Sequence, residues 1–229
     1  MKKDGTRFKK ITSQLRGASF PLVAMLAAIL PGGCSPSSPP PRDPQRAITM
    51  EEAMEAPDRV RNLDLFYRKL PAFPRDILKL ANLEHLTLRT CTIGNVPEEV
   101  ATLSKLMSLD MGQTSLTNLT PAVASLRCLT KLWLNDNALA SLPPELGTLK
   151  QLAYLNLDRN QLTSLPDSTG AMTSLRWLRL NDNKLTALPS DLSGLAQNLE
   201  TLYLMGNPIP DEERDRIRNA LPKCKVVFQ

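Results

Sequence analysis

Leucine recurs along this chain at a fixed interval. From Val60 the apolar frame restarts at Leu83, Leu106, Leu129, Leu152, Leu175 and Leu199, so the steps are 23 residues five times and then 24. Self-similarity at a fixed period of roughly 20 to 50 residues marks a chain built of stacked units. Within each unit two more apolar residues follow at the fourth and sixth places, as Leu132 and Leu134 or Leu178 and Leu180. Successive side chains of an extended strand point to opposite faces. Each unit therefore predicts one short strand whose leucines enter a core and whose third and fifth residues face outward. Seven such strands stack into one parallel sheet.

The clearest copies read LTKLWLNDNAL at 129–139 and LRWLRLNDNKL at 175–185, both of the form L-x-x-L-x-L-x-x-N-x-L. In this the chain resembles the leucine-rich-repeat family, in the LPxxL form common in bacterial proteins, from Val60 to the C-terminus. The form is marked by Val96-Pro97, Leu142-Pro143, Leu165-Pro166 and Leu188-Pro189, with Phe73-Pro74 as a variant and the proline displaced to Pro121 in the third copy. The resemblance implies an α/β solenoid, a horseshoe with one short parallel strand per repeat. It also implies a role for the asparagine, which in the family lies inside the turn and bonds neighbouring backbone that would otherwise be buried without partners. That place holds Asn137, Asn160, Asn183 and Asn207, but Arg68, Cys91 and Thr114 in the earlier copies. Cysteine and threonine are small enough to substitute. Arg68 must point outward or reshape the turn, so the first copy reads as degenerate and cap-like.

The flanks divide differently. Residues 1–33 have a basic start, an apolar run from Phe20 to Leu30 and then small residues, the pattern of a secretory signal. The run is too short for a full bilayer span. Gly32-Gly33 before Cys34 resembles a bacterial lipobox, in which the cysteine is acylated and becomes the new N-terminus, although Pro31 departs from it. The alternatives are an uncleaved anchor or an ordinary signal with Cys34 incidental. Residues 34–47, rich in Pro and Ser, read as a solvated tether. Residues 48–59 predict a short capping helix with Thr49 as N-cap and Glu52 completing a capping box. Residues 60–207 hold the seven repeats. Residues 208–229 predict a C-terminal cap, a helix capped by Asp211 and running to about Ala220, then a last short strand at 224–228. Read this way, the cap closes the domain and leaves no room for a catalytic module.

Charge adds little to the partner question. The net +5 is accounted for by six basic residues against Asp4 within residues 1–33, and the other 22 basic and 22 acidic residues cancel. A nucleic-acid footprint is therefore not expected. The single histidine, His85, reads as an exposed residue at a variable place, since no second histidine or cysteine pair at ligand spacing accompanies it. Cys91 and Cys224 lie five to six repeats apart, on the order of 25 Å at one strand spacing per copy, too far to bridge. With Cys128 they read as reduced packing residues. No nucleophile, base and orienting group form a recognisable motif, so no catalysis, cofactor or metal is expected.

Aromatic residues are only 4% of the chain, yet both tryptophans and two of the three tyrosines fall at outward strand places. The candidate ligand-binding residues on the concave face are Lys131, Trp133, Tyr154, Asn156, Arg159, Trp177, Arg179 and Tyr203. Trp, Tyr and Arg dominate interface hot spots. The competing reading is that these side chains stack along the sheet and stabilise it. Asp136, Asp158 and Asp182 beside them make either a metal or sugar site or local turn bonds, the second being the simpler. The expected function is a non-catalytic, monomeric scaffold that holds a protein or peptide ligand and is anchored in the cell envelope through lipid on Cys34. The alternatives are a carbohydrate or cell-wall binder, or a cytoplasmic effector or signalling adaptor.

Overall fold

The computed structural model describes Asp43 and residues 45–229. The signal segment, Cys34 and most of the tether lie outside the described residues. The sheet has nine parallel strands in chain order. They are β1 (Arg46–Ala47), β2 (Asn62–Asp64), β3 (His85–Thr87), β4 (Ser108–Asp110), β5 (Lys131–Trp133), β6 (Tyr154–Asn156), β7 (Trp177–Arg179), β8 (Thr201–Tyr203) and β9 (Lys225–Val227). From β2 to β8 the register joins equivalent places of successive copies, as in Asp110↔Trp133 and Trp133↔Asn156. The leucine frame dictates this, because a slip of one residue would turn every strand leucine out of the core.

From β2 to β8 each strand's central leucine is buried, and the leucines that follow it, such as Leu157, Leu162 and Leu165, fill one continuous core. Full burial of one such side chain contributes about 1.5–3 kcal/mol. The return path of most copies is a single 3₁₀ turn, at Arg75–Lys79, Glu98–Thr102, Pro121–Ser125, Pro144–Thr148 and Asp167–Ala171. The 24-residue copy instead forms a short α-helix, α2 (Leu195–Asn198). Its extra residue is absorbed there, and the sheet register continues undisturbed.

Both ends of the sheet carry more than the seven copies supply. Arg46–Ala47 falls inside the segment read as tether, yet it pairs with β2. Nothing in a two-residue stretch announces a strand, which forms only because β2 offers an unpaired edge. Helix α1 (Met50–Glu55) follows, with the Thr49 side chain accepting from the Glu52 amide at 3.1 Å and Ala53 fully buried. Glu52 in turn accepts from the Ile48 amide at 2.9 Å.

At the other end α3 (Asp211–Ala220) corrects the expected cap. Pro210 is the N-cap residue, and Asp211 stands at the first helical place, where it pairs with Arg214 instead of capping. The helix is fastened by other groups. Glu213 accepts from the Leu188 amide at 3.0 Å, while Arg216 donates to the carbonyls of Leu188, Pro189 and Ser190. β9 then pairs with β8 and closes the stack.

Inside the turns a column of side chains replaces missing backbone partners. Asn160 Nδ2 donates to the carbonyls of Leu134 and Leu157 at 2.9 and 3.0 Å, and its Oδ1 accepts from the Leu139 amide at 3.1 Å. Asn137, Asn183 and Asn207 repeat this pattern. In the earlier copies the substitutes make fewer bonds. Thr114 Oγ1 donates to the Met111 carbonyl at 2.7 Å, and the Cys91 thiol donates to the Leu65 carbonyl at 3.2 Å. Arg68 turns outward and donates to the Ile48 carbonyl of the N-terminal cap. The residue just before this column is left-handed in every copy. Tyr67, Thr90, Gln113, Asp136, Arg159, Asp182 and Gly206 have φ between 53° and 70°. Gly206 takes that backbone freely, and aspartate, as at Asp136 and Asp182, tolerates it. All six non-glycine residues are held there by their backbone N–H groups, each of which donates to a carbonyl of the next copy.

Candidate functional site

The face of the sheet opposite the core is formed by the third and fifth residues of each copy. In its first three copies this face is small and polar, with Asn62, Asp64, His85, Thr87, Ser108 and Asp110. From β5 onward it changes. Trp133, Tyr154 and Trp177 line a hollow of about 450 Å³ together with Lys131, Thr130 and Ala153. The rings of Trp133 and Tyr154 are tilted by 42° with centroids 5.2 Å apart, and Trp177 is 38% exposed. Large aromatic surface in water is unfavourable unless something covers it.

The hollow exists because of one small residue that the outward-place rule does not reach. Ala153 occupies the second place of its copy, where the neighbouring copies carry Thr130 and Arg176. With no longer side chain there, the space beside Tyr154 stays open. Neither Thr130 nor Ala153 is among the expected binding residues. The departure of Ala153 from larger residues at that place was the signal available in the sequence.

The remaining expected residues gather elsewhere. Arg179 donates to the buried Asp158 carboxylate at 2.6 Å and lies over the Tyr203 ring, 4.9 Å from its centroid. Arg159 makes a bidentate pair with Asp136, through Nε and through Nη2 at 2.8 Å. This contact holds the Asp136 carboxyl below the usual range and pushes the Arg159 guanidinium up. Asn156 accepts from the Asp158 amide at 3.0 Å, a local turn bond. Lys131, Trp133, Tyr154 and Trp177 therefore share one hollow, whereas Arg159, Arg179 and Tyr203 belong to a ladder of contacts between copies and Asn156 serves its own turn. Both arginines are neutralised inside this ladder, so the aromatic hollow does not sit in a strongly basic field.

The three aspartates beside the patch separate in the same way. Asp158, only 2% exposed, accepts from the Asn181 amide at 2.8 Å as well as from Arg179. Asp136 and Asp182 stand one place later, in the left-handed turn. Local bonds account for Asp136 and Asp158, and no group of three His, Cys, Asp or Glu among the described residues is placed to hold a metal ion. His85 is exposed on β3, and the adjacent Glu84 pairs with Arg61. Cys91, Cys128 and Cys224 are free thiols. Burial raises the Cys91 thiol and pushes the Cys224 thiol up to about 11, which makes both poor nucleophiles at neutral pH. Among the described residues no helix is long and apolar enough to cross a membrane.

Comparison with known proteins agrees with this architecture. The model of the family described as Leucine rich repeat matches residues 127–185 and again 150–209. A leucine-rich-repeat protein of Leptospira interrogans is 28% identical, with a TM-score of 0.51 over 79% of this chain and 57% of its own. This chain thus spans little more than half the length of that relative. Internalin C2 of Listeria monocytogenes is 26% identical, with a TM-score of 0.64 over 75% of this chain and 72% of its own. The leucine-rich-repeat ectodomain of the Arabidopsis thaliana receptor kinase GASSHO1/SCHENGEN3, solved in complex with Casparian strip integrity factor 2, is 30% identical. Its TM-score is 0.59 over 66% of this chain and 19% of its own. No curated protein matches the sequence.

Proposed function

This chain is a leucine-rich-repeat protein, and on that premise we propose that it is a non-catalytic scaffold whose aromatic hollow receives a side chain of a protein or peptide ligand. The fold generally mediates protein–protein interaction, and proteins of the family are typically non-enzymatic interaction modules. The observation that carries the reading is the hollow itself, about 450 Å³ lined by Trp133, Tyr154 and Trp177 on an otherwise polar sheet face. A rigid solenoid presents these rings at fixed spacing, so little ordering entropy opposes binding. The plant receptor ectodomain with its bound factor is a precedent for ligand capture on this architecture.

The location we propose is the bacterial envelope. Export through the segment at 1–33 and acylation of Cys34 would leave residues 34–47 as a spacer, and the scaffold would work as an anchored monomer. Intact mass and detergent partitioning of the protein expressed from its own start codon, compared with Cys34→Ser, test this directly. A mature, acylated chain beginning at Cys34 supports it. An unprocessed chain in the aqueous phase overturns it and leaves the scaffold reading intact.

The binding site is tested by selecting a random peptide display library on the full chain. Peptides carrying an aromatic or large apolar residue should be enriched, and a Trp133→Ala/Trp177→Ala double variant should lose them. Each ring that is a true hot spot costs about 2 kcal/mol or more in binding. The double variant should still fold, because cross-strand aromatic pairs contribute about 0.2–1 kcal/mol each. An unfolded double variant would make the rings structural. Enrichment confined to a glycan array would favour a carbohydrate ligand.

A further inference from the structure

The chemistry of the aromatic hollow is one-sided. Its three rings are accompanied by a single charge, that of Lys131, which is exposed on β5. Across the strand pairs Lys131 stands between Ser108 and Tyr154, neither of which carries a countercharge. Four arginines of the surrounding copies are committed elsewhere. Arg159 pairs with Asp136, Arg179 with Asp158 and Arg176 with Glu200, while Arg89 stands 4.0 Å from Asp110. Lys131 makes no ion pair or hydrogen bond among the described residues.

The other polar groups around the hollow are mostly donors too. Indole and ammonium groups donate and cannot accept. The indole N–H groups of Trp133 and Trp177 make no hydrogen bond among the described residues. The Thr130 carbonyl already takes the amides of Ala153 and Tyr154, and the Ala153 carbonyl takes those of Arg176 and Trp177. Thr130 Oγ1 gives its proton to the Met107 carbonyl at 2.9 Å. The hydroxyl oxygens of Thr130 and Tyr154 are then the only side-chain acceptors, and no carboxylate or amide side chain lines the space. A ligand that fills the hollow must therefore bring acceptors of its own.

A surplus of donors separates the ligands that aromatic rings can take. Three rings suit an organic cation through their π faces, but Lys131 repels it and no carboxylate lines the hollow to pair with it. A sugar brings many hydroxyl protons to a space with few acceptors. An apolar or aromatic side chain with a carboxylate beside it meets both halves of the site. We propose that the ligand carries an aspartate or glutamate within two positions of the apolar or aromatic residue that enters the hollow, and that this acid pairs with Lys131. This rests on the scaffold reading above and adds the ligand's charge. The spacing follows from the sheet, since Lys131 and Tyr154 are register partners on neighbouring strands, about 4.7–4.9 Å apart. Extended peptide advances about 3.3–3.6 Å per residue, so an acid one or two positions from the buried residue reaches Lys131.

Peptide selection on the full chain reads the charge and the hollow separately. On wild type, Asp or Glu should be enriched within two positions of the aromatic or large apolar residue. Lys131 has no bond to lose, so Lys131→Met should fold normally and keep the apolar preference without the acidic one. Lys131→Glu should reverse the preference to lysine or arginine. A selected peptide should bind wild type about threefold to fivefold more tightly than its counterpart with the acid replaced by the amide, the size expected of an exposed ion pair. That gap should vanish on Lys131→Met and shrink in about 1 M salt. Apolar enrichment with no acidic neighbour, or with a basic one, overturns the pairing and leaves the scaffold reading intact. The same holds if the amide counterpart loses as much affinity for Lys131→Met as for wild type, or if carboxylates are selected only at free C-termini. Failure to select any peptide overturns the pairing and the scaffold reading together.

Discussion

The first three copies and the last four share one backbone and are built by different means. From β2 to β8 the strands pair in the same register throughout, and their central leucines are equally buried. Yet the family model matches only within 127–209, the half that holds Asn137, Asn160, Asn183 and Asn207. In the first half Thr114 and Cys91 each make a shorter set of contacts to the turn, and Arg68 leaves it for the cap. The core leucines are thus enough to hold the register, and the asparagine column is an added stabiliser. The outer face divides at almost the same place, polar in the first half and aromatic in the second.

The largest expected effect comes from the column. Asn160→Leu would leave the Leu139 amide and the Leu134 and Leu157 carbonyls without their partner, a loss of about 3 kcal/mol or more. Thr114→Val removes one bond from the Met111 carbonyl and one to Asn137, and should cost about 1–2 kcal/mol. Urea unfolding of the two variants checks the comparison, and equal losses would break it.

The glycines sharpen the contrast further. A Cβ at Gly170 would sit 1.9 Å from the Asp191 backbone carbonyl, so Gly170→Ala should cost about 2 kcal/mol or more as the return paths of the fifth and sixth copies are forced apart. In the first half Gly94 has φ of +66° with open space around it, and Gly94→Ala should cost about 1 kcal/mol from backbone strain alone. Thermal unfolding distinguishes the two.

The smallest effect concerns pH. Burial raises the folded-state pKa of Asp110, so its contribution is favourable when it is protonated. That contribution is present in full below the ordinary aspartate range and is lost as pH rises through the raised value. Asp110→Asn should therefore be slightly more stable than wild type at neutral pH, with the difference fading in acid. A variant less stable at neutral pH would show that the Arg89 contact outweighs burial.

Much of this protein is legible in its sequence because a 23-residue leucine period admits few arrangements. Alternation along a strand fixes which residues enter the core and which face outward, and that alone put Trp133, Tyr154 and Trp177 on one face. The asparagine positions follow from the same count. What the sequence could not supply are relations between residues a whole copy apart, set by side-chain reach and local crowding. Arg159 and Arg179 look like free cations in a list of outward residues, and their ion pairs with Asp136 and Asp158 appear only once the copies stack. The strand at Arg46–Ala47 needs the edge of β2, and the left-handed turns at Tyr67 or Arg159 contradict local preference because backbone bonds to the next copy impose them. The hollow at Ala153 is a space left by an absent side chain. An absence acquires a shape only from the neighbours that fail to fill it, so the tertiary structure alone decided where this face is open.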